Sequence, residues 1–171
     1  MKQPDTFRTS TDSSASPRGR VVVADDDAVT RTLICRILTA AEFTVHAVEN
    51  GQLAYEAVQL FHPDVILLDW EMPIMDGLCA AKLLKADIAT RAIPIVMITA
   101  HAQTEERSLA LEAGVQDFVS KPFGPGELIA CMDQQMRWRT IITTARATDR
   151  RGQVSEPCAP RTRHRKHPQS W

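Results

Sequence analysis

The sequence predicts an α/β fold built on a doubly wound, five-stranded parallel sheet with five helices. Three observations carry that prediction. Short β-branched runs at 20–24, 43–48, 64–69, 94–98 and 116–120 alternate with longer segments of helical period. The runs at 64–69 and 94–98 are apolar at nearly every position, as strands covered on both faces must be. Four of the runs lead into polar residues: Asp25 and Asp26, Asp69, Thr99, and Lys121. Strand and helix in strict alternation favour a parallel sheet, and right-handed crossovers then place helices on both of its faces.

Residues 1–19 are rich in Ser, Thr and Pro with hardly an apolar side chain. They cannot bury enough surface to offset the entropy of ordering, so they read as a disordered leader. The first strand, Val21-Val22-Val23-Ala24, runs into Asp25-Asp26-Asp27, and the last aspartate suits the N-cap of the helix that follows. That helix carries Leu33, Ile34, Ile37, Leu38 and Ala41 at helical spacing. The run 43–48 alternates apolar with polar residues and belongs nearer a sheet edge. Asn50-Gly51 opens the second helix, His62-Pro63-Asp64 precedes the third strand, and Asp76-Gly77 opens the third helix. Gly124-Pro125-Gly126 leads into the fifth helix, whose Leu128, Ile129, Met132 and Met136 form one apolar face. The helical pattern ends near Arg139 or shortly beyond. One domain over 20–140 is expected, with 141–171 as a basic, disordered tail.

A chain of 171 residues, 44% hydrophobic, supports one core plus some spare chain. No apolar run approaches the ~20 residues that cross a bilayer, and the start lacks the apolar stretch of a secretory signal, so a cytoplasmic protein is expected. Cys35, Cys79, Cys131 and Cys158 are widely spaced with no C-x-x-C pair, and read as small buried or half-buried apolar residues. The net charge of −1 hides an asymmetry: residues 20–140 hold ten Lys/Arg against seventeen Asp/Glu, residues 141–171 seven against two. The cluster Arg161-Thr162-Arg163-His164-Arg165-Lys166-His167 reads as part of a solvated extension. A tail of this length is too short for a winged helix or helix-turn-helix, so nucleic acid is not expected as a partner.

Ligands of open α/β sheets bind beyond the carboxyl ends of the strands, where Asp25, Asp26, Asp69, Thr99 and Lys121 converge. Carboxylates are hard oxygen ligands and suit Mg²⁺ better than the metals that prefer thiolate or imidazole. Such a site points to phosphoryl chemistry, in which charge spread over three oxygens is met by positioned cations. Taken singly, each residue has a plainer role: a helix cap, a strand residue, a solvated lysine. Their joint placement carries the functional reading.

The segments VVVADDDAVTR, PDVILLDWEMPIMDG, IPIVMITA and DFVSKPF, in this order, resemble the receiver domain of two-component response regulators over roughly residues 20–140. The resemblance implies strand order 2-1-3-4-5 and makes Asp69 the acceptor of a phosphoryl group from a sensor histidine kinase or histidine phosphotransfer protein. It assigns Mg²⁺ to Asp25, Asp26, Asp69 and the backbone carbonyl of Glu71, an ammonium to Lys121, and a phosphoryl-binding hydroxyl to Thr99. It also implies a cis peptide at Lys121–Pro122, and a rotameric switch at Phe118 on the face of the fourth helix, fifth strand and fifth helix, where an unknown downstream protein would dock. Glu71 and His101 flank the path of an attacking water and are expected to tune the phosphoryl lifetime. Trp70 either packs over the site or covers the sheet edge. The expected protein is a stand-alone response regulator that catalyses only its own phosphorylation and dephosphorylation, with no outside substrate. The alternatives are a truncated multidomain regulator and a DNA-binding regulator that uses the basic tail. The D-x-D-x-T/V signature of haloacid-dehalogenase phosphatases is absent, since Trp70-Glu71-Met72-Pro73 follows Asp69.

Overall fold

The structure, a computed structural model, describes residues 17–100 and 104–152. Its elements alternate as predicted: β1 (Gly19–Ala24), α1 (Ala28–Ala40), β2 (Phe43–Val48), α2 (Gly51–Phe61), β3 (Val65–Asp69), α3 (Gly77–Ala86), β4 (Ile95–Thr99), α4 (Thr104–Glu112), β5 (Asp117–Ser120) and α5 (Pro125–Gly152). Every strand pairing is parallel, and the sheet order is β2-β1-β3-β4-β5.

Period-two alternation divides the core between the two faces of the sheet. Val22, Ala24, Ile66, Leu68, Ile95 and Met97 pack with Ala54, Val58, Ala81, Leu84 and Ala110 of α2, α3 and α4. Val21, Val23, Val65, Leu67, Val96 and Ile98 pack with Ile34, Leu38, Leu128 and Met132 of α1 and α5. All five residues of β3 and of β4 are buried, which explains their unbroken apolar runs. β2 is an edge strand, half open to solvent, as its alternating sequence requires.

Caps set where the helices begin. The Asp27 carboxylate accepts from the backbone N–H of Val29 and Thr30, Asn50 accepts from Leu53, and Asp76 from Cys79. These bonds satisfy amides at helix starts that have no intrahelical partner.

The structure corrects three expectations. The leader ends sooner than residue 19: the Arg18 amide donates to the Glu42 carbonyl at 3.0 Å, its guanidinium pairs with Asp133 and lies over the Phe43 ring, and Gly19 already belongs to β1. α5 does not stop near Arg139 but continues to Gly152, into the segment read as tail. Helical backbone bonds need no burial, and 140–152 contains no proline to break them. Cys79 is exposed, its thiol 3.5 Å from the Asp76 carboxylate, whereas Cys35 and Cys131 are half-buried as expected. The remainder of the leader, the basic cluster at 161–167 and Cys158 lie outside the described residues.

Lys85, at the end of α3, holds the α3–β4 connection in place. Its ammonium donates to the carbonyls of Ile93 (2.7 Å) and Arg91 (3.1 Å) and to Gln116 Oε1 (3.3 Å). Burial pulls its pKa down to about 8. Lys85→Met keeps the apolar stem but strips a donor from three acceptors, and is expected to cost about 1–3 kcal/mol in urea unfolding. An unchanged midpoint would show these bonds to be dispensable.

Candidate functional site

The site assembles where the strands end. Asp25 follows β1 directly and is fully buried, while Asp26 is exposed. Asp25 Oδ1 accepts from the Asp27 amide at 2.9 Å. Arg31 from α1 donates to the carbonyls of Asp25 (2.6 Å) and Asp26 (3.2 Å), pinning this turn from below. Asp69 is the last residue of β3 and 7% exposed; its Oδ1 accepts from the Trp70 amide at 2.8 Å.

Gly77 brings α3 against that turn. Its amide donates to the Trp70 carbonyl at 3.0 Å, and a Cβ at this position would lie 2.0 Å from the Asp69 carbonyl oxygen. Only a residue without a side chain allows α3 to start so close to the acceptor backbone.

Lys121 closes the cluster. Its amide donates to the Thr99 carbonyl at 2.8 Å, its bond to Pro122 is cis as the resemblance implied, and its ammonium lies 2.8 Å from Asp69 Oδ2 and 2.9 Å from Asp25 Oδ2. Parallel register thus brings three charged residues far apart in sequence to one point. Thr99, ending β4 and 4% exposed, faces the same cleft of about 320 Å³, which Asp26, Trp70 and Glu71 also line. Trp70 lines the cleft and packs against the core.

Burial raises the pKa of both Asp25 and Asp69, against the lowering effect of their bonds to Lys121; the Asp25 charge raises Asp69 further, and the Asp26 charge raises Asp25. For Lys121, burial works to depress the pKa, but its bonds and charge interactions with Asp69 and Asp25 outweigh that and raise it. Lys121 is therefore a permanent cation at neutral pH.

Asp25, Asp26 and Asp69 each place a carboxylate oxygen within 4.8 Å of the others. This all-oxygen, partly exposed set fits a hard divalent cation such as Mg²⁺. Glu71, whose backbone carbonyl the resemblance adds to the set, sits on the cleft wall.

Phe118, the second residue of β5, lies farther off. It is half-buried against the core face shared by α2, α3 and α4, and the Arg107 guanidinium lies 4.6 Å from its ring centroid. His101 lies outside the described residues. The structure adds three residues to the cleft that the sequence did not single out: Thr30 on α1, Ala100 just after β4 and, on α4, Glu106. Set among the polar residues Thr104, Glu105 and Arg107, it carried no signal.

The response regulator receiver domain family matches residues 21–133. The chain belongs to this family. The receiver is 34% identical over 142 residues to the phosphate regulon transcriptional regulatory protein PhoB of Escherichia coli K12, a match covering 83% of this chain and 62% of that protein. It is 37% identical over 120 residues to the DNA-binding response regulator MtrA of Mycobacterium leprae, covering 70% of this chain and 52% of the relative. The chain therefore spans about half to three-fifths of the length of these relatives. Among solved structures, the chemotaxis response regulator CheY4 of Vibrio cholerae matches with a TM-score of 0.65 and 26% identity, over 68% of this chain and 97% of that one. The receiver domain of the sensor histidine kinase PA1611 of Pseudomonas aeruginosa, solved with a magnesium ion in its active-site cleft, matches with a TM-score of 0.64 and 30% identity, over 71% of this chain and 98% of that one. No helix among the described residues is long and apolar enough to cross a membrane.

Proposed function

We propose that this receiver accepts a phosphoryl group on Asp69 and uses it to switch partner binding in two-component signalling. One observation carries the reading: a single ammonium, that of Lys121, bridges the carboxylates of Asp25 and Asp69 at 2.9 and 2.8 Å inside one small cleft. An Asp69 oxygen attacks the phosphorus of a phosphohistidine on a sensor kinase or phosphotransfer protein. The P–N bond breaks as the O–P bond forms, and the imidazole leaves with its electron pair and takes up a proton. Lys121 meets the charge on the transferred oxygens, and the Thr99 hydroxyl at the end of β4 donates to one of them. Asp25, Asp26, Asp69 and the Glu71 carbonyl would hold Mg²⁺, which when bound neutralises negative charge on the phosphoryl oxygens. Hydrolysis of the acyl phosphate by water resets the protein, so the receiver acts on no outside substrate. A cytoplasmic setting is in keeping with the free thiols of Cys35, Cys79 and Cys131.

Phe118 is the element that reports the modified state, through the face made by α4, β5 and α5. An unidentified downstream protein is its reader. A second reading, a receiver that serves a longer DNA-binding regulator, draws support from the names of the relatives and from the share of their length that the chain spans. A coding sequence that runs on past Trp171 into a further domain would favour it over the stand-alone reading, whereas steeply salt-dependent DNA binding that disappears on removing residues 141–171 would favour direct use of the basic tail.

The acceptor is tested by incubation with Mg²⁺ and acetyl phosphate, followed by intact-mass measurement. Wild type is expected to gain one phosphoryl group and Asp69→Asn none. Equal labelling of the two proteins would move the acceptor elsewhere.

A further inference from the structure

Glu106 lies in the first turns of α4 and lines the same cleft as Asp69, Thr99 and Lys121. Its Oε2 atom is shut off from solvent and has no hydrogen-bond partner, the one side-chain atom among the described residues in that condition. A carboxylate oxygen placed so is costly, because it loses its hydration and gains nothing in exchange. Lys121 does not relieve it, since its ammonium is engaged by Asp25 and Asp69. The cleft is therefore lined by five acidic residues, Asp26, Asp27, Asp69, Glu71 and Glu106, and by one ammonium, that of Lys121, which pairs with Asp69 and the buried Asp25.

We propose that Glu106 is a charge gate on the acceptor cleft: its carboxylate, one oxygen of which is buried and unpartnered, opposes entry of the phosphoryl group, and phosphorylation of Asp69 expels it together with the first turn of α4. The inference rests on Asp69 being the acceptor. Like charges that line one narrow cleft repel each other more than they would at an open surface, because less water stands between them. A transferred phosphoryl group adds further negative charge to the cleft, so Glu106 becomes less stable there once Asp69 is modified. The unmet hydrogen-bond demand of Oε2 acts in the same direction, since outward movement lets water reach it. Arg107, the next residue, lies over the Phe118 ring, so the same displacement uncovers the aromatic face. Glu106 thereby links the chemistry at Asp69 to the surface that reports it.

Glu106→Gln keeps the shape and removes the charge. With saturating Mg²⁺ and acetyl phosphate, its initial rate of phosphorylation, followed on a phosphate-affinity gel, is expected to exceed that of wild type by on the order of ten-fold. The gain should shrink when the less highly charged donor phosphoramidate replaces acetyl phosphate, which a loosening of α4 alone would not produce. The melting temperature should stay equal or rise, because the charge carried by a carboxylate with one enclosed, unpartnered oxygen is gone. A rate within two-fold of wild type, a slower rate with a raised Mg²⁺ requirement, or a gain independent of donor charge would each overturn the gate. Failure of wild type itself to be phosphorylated, with Asp69→Asn alike, would instead remove the acceptor reading on which the gate stands.

Discussion

Gly77→Ala is expected to lower the stability of the receiver by about 3 kcal/mol, the upper range for overpacking a close-packed core. The alanine Cβ would fall 2.0 Å from the Asp69 carbonyl oxygen, 3.1 Å from its carbonyl carbon and 2.9 Å from Met97 Cε. The methionine tip can swing aside. The Asp69 carbonyl cannot, because it belongs to the backbone of a strand hydrogen-bonded on both sides, to β1 and to β4. Either α3 lifts, breaking the Gly77 amide bond to the Trp70 carbonyl and the Asp76 cap, or the acceptor turn shifts. Both movements disturb the position of the Asp69 carboxylate relative to Lys121, so phosphorylation should fall along with stability. Gly124→Ala serves as the control, since a Cβ there meets nothing within 4 Å. It should change the urea midpoint by no more than about 0.5 kcal/mol. A Gly77→Ala protein as stable as Gly124→Ala would refute the packing argument.

The residues that the sequence exposes and those it hides differ in how local their causes are. β3 and β4 were readable because a strand covered on both faces must be apolar throughout, and Val65-Ile66-Leu67-Leu68 and Ile95-Val96-Met97-Ile98 satisfy that without reference to anything distant. Asp25, Asp69, Thr99 and Lys121 were readable because strand ends of a parallel sheet share one edge, so chemistry placed there converges whatever the loops do. Gly77 was visible only as a turn marker. Its close approach to the acceptor depends on how α3 docks on β3, which no local pattern encodes. Glu106 resembles any polar residue of a surface helix, and its place on the cleft wall depends on how α4 packs beside the strand ends, which no local pattern encodes. The apolar periodicity of α5 is shorter than the helix for a related reason: it reports residues that touch the core, such as Leu128, Met132 and Met136, whereas the hydrogen-bonded backbone runs on to Gly152.

Lys121→Met is expected to slow phosphorylation of Asp69 by about 10²–10³-fold, the usual consequence of deleting one preorganised donor aimed at developing negative charge. Its second effect appears in the pH dependence. In wild type, burial pushes Asp69 and Asp25 upward while the bonds to Lys121 hold them down. Removing the ammonium leaves burial and the neighbouring carboxylate charges opposed only by the backbone N–H bonds from Asp27 and Trp70, so both groups rise further. Asp69 must be ionised to attack, and the acid limb of the rate profile should therefore move to higher pH in the variant. The stability curve follows the same sign. A group whose folded pKa stands above its unfolded value contributes stability that is complete below the unfolded pKa and is lost as pH rises through the folded one. With metal chelated, Lys121→Met should lose stability more steeply than wild type as pH rises from about 4 toward neutrality, because its two carboxylates ionise at greater cost. Wild type carries an opposing contribution from Lys121 itself, whose raised pKa keeps its stabilising charge in place until the strongly alkaline range. Urea midpoints across that interval, paired with initial rates of phosphorylation, separate the two effects. Parallel curves for the two proteins would mean that the ammonium at position 121 does not control the ionisation of Asp69, and the electrostatic account of the site would fail.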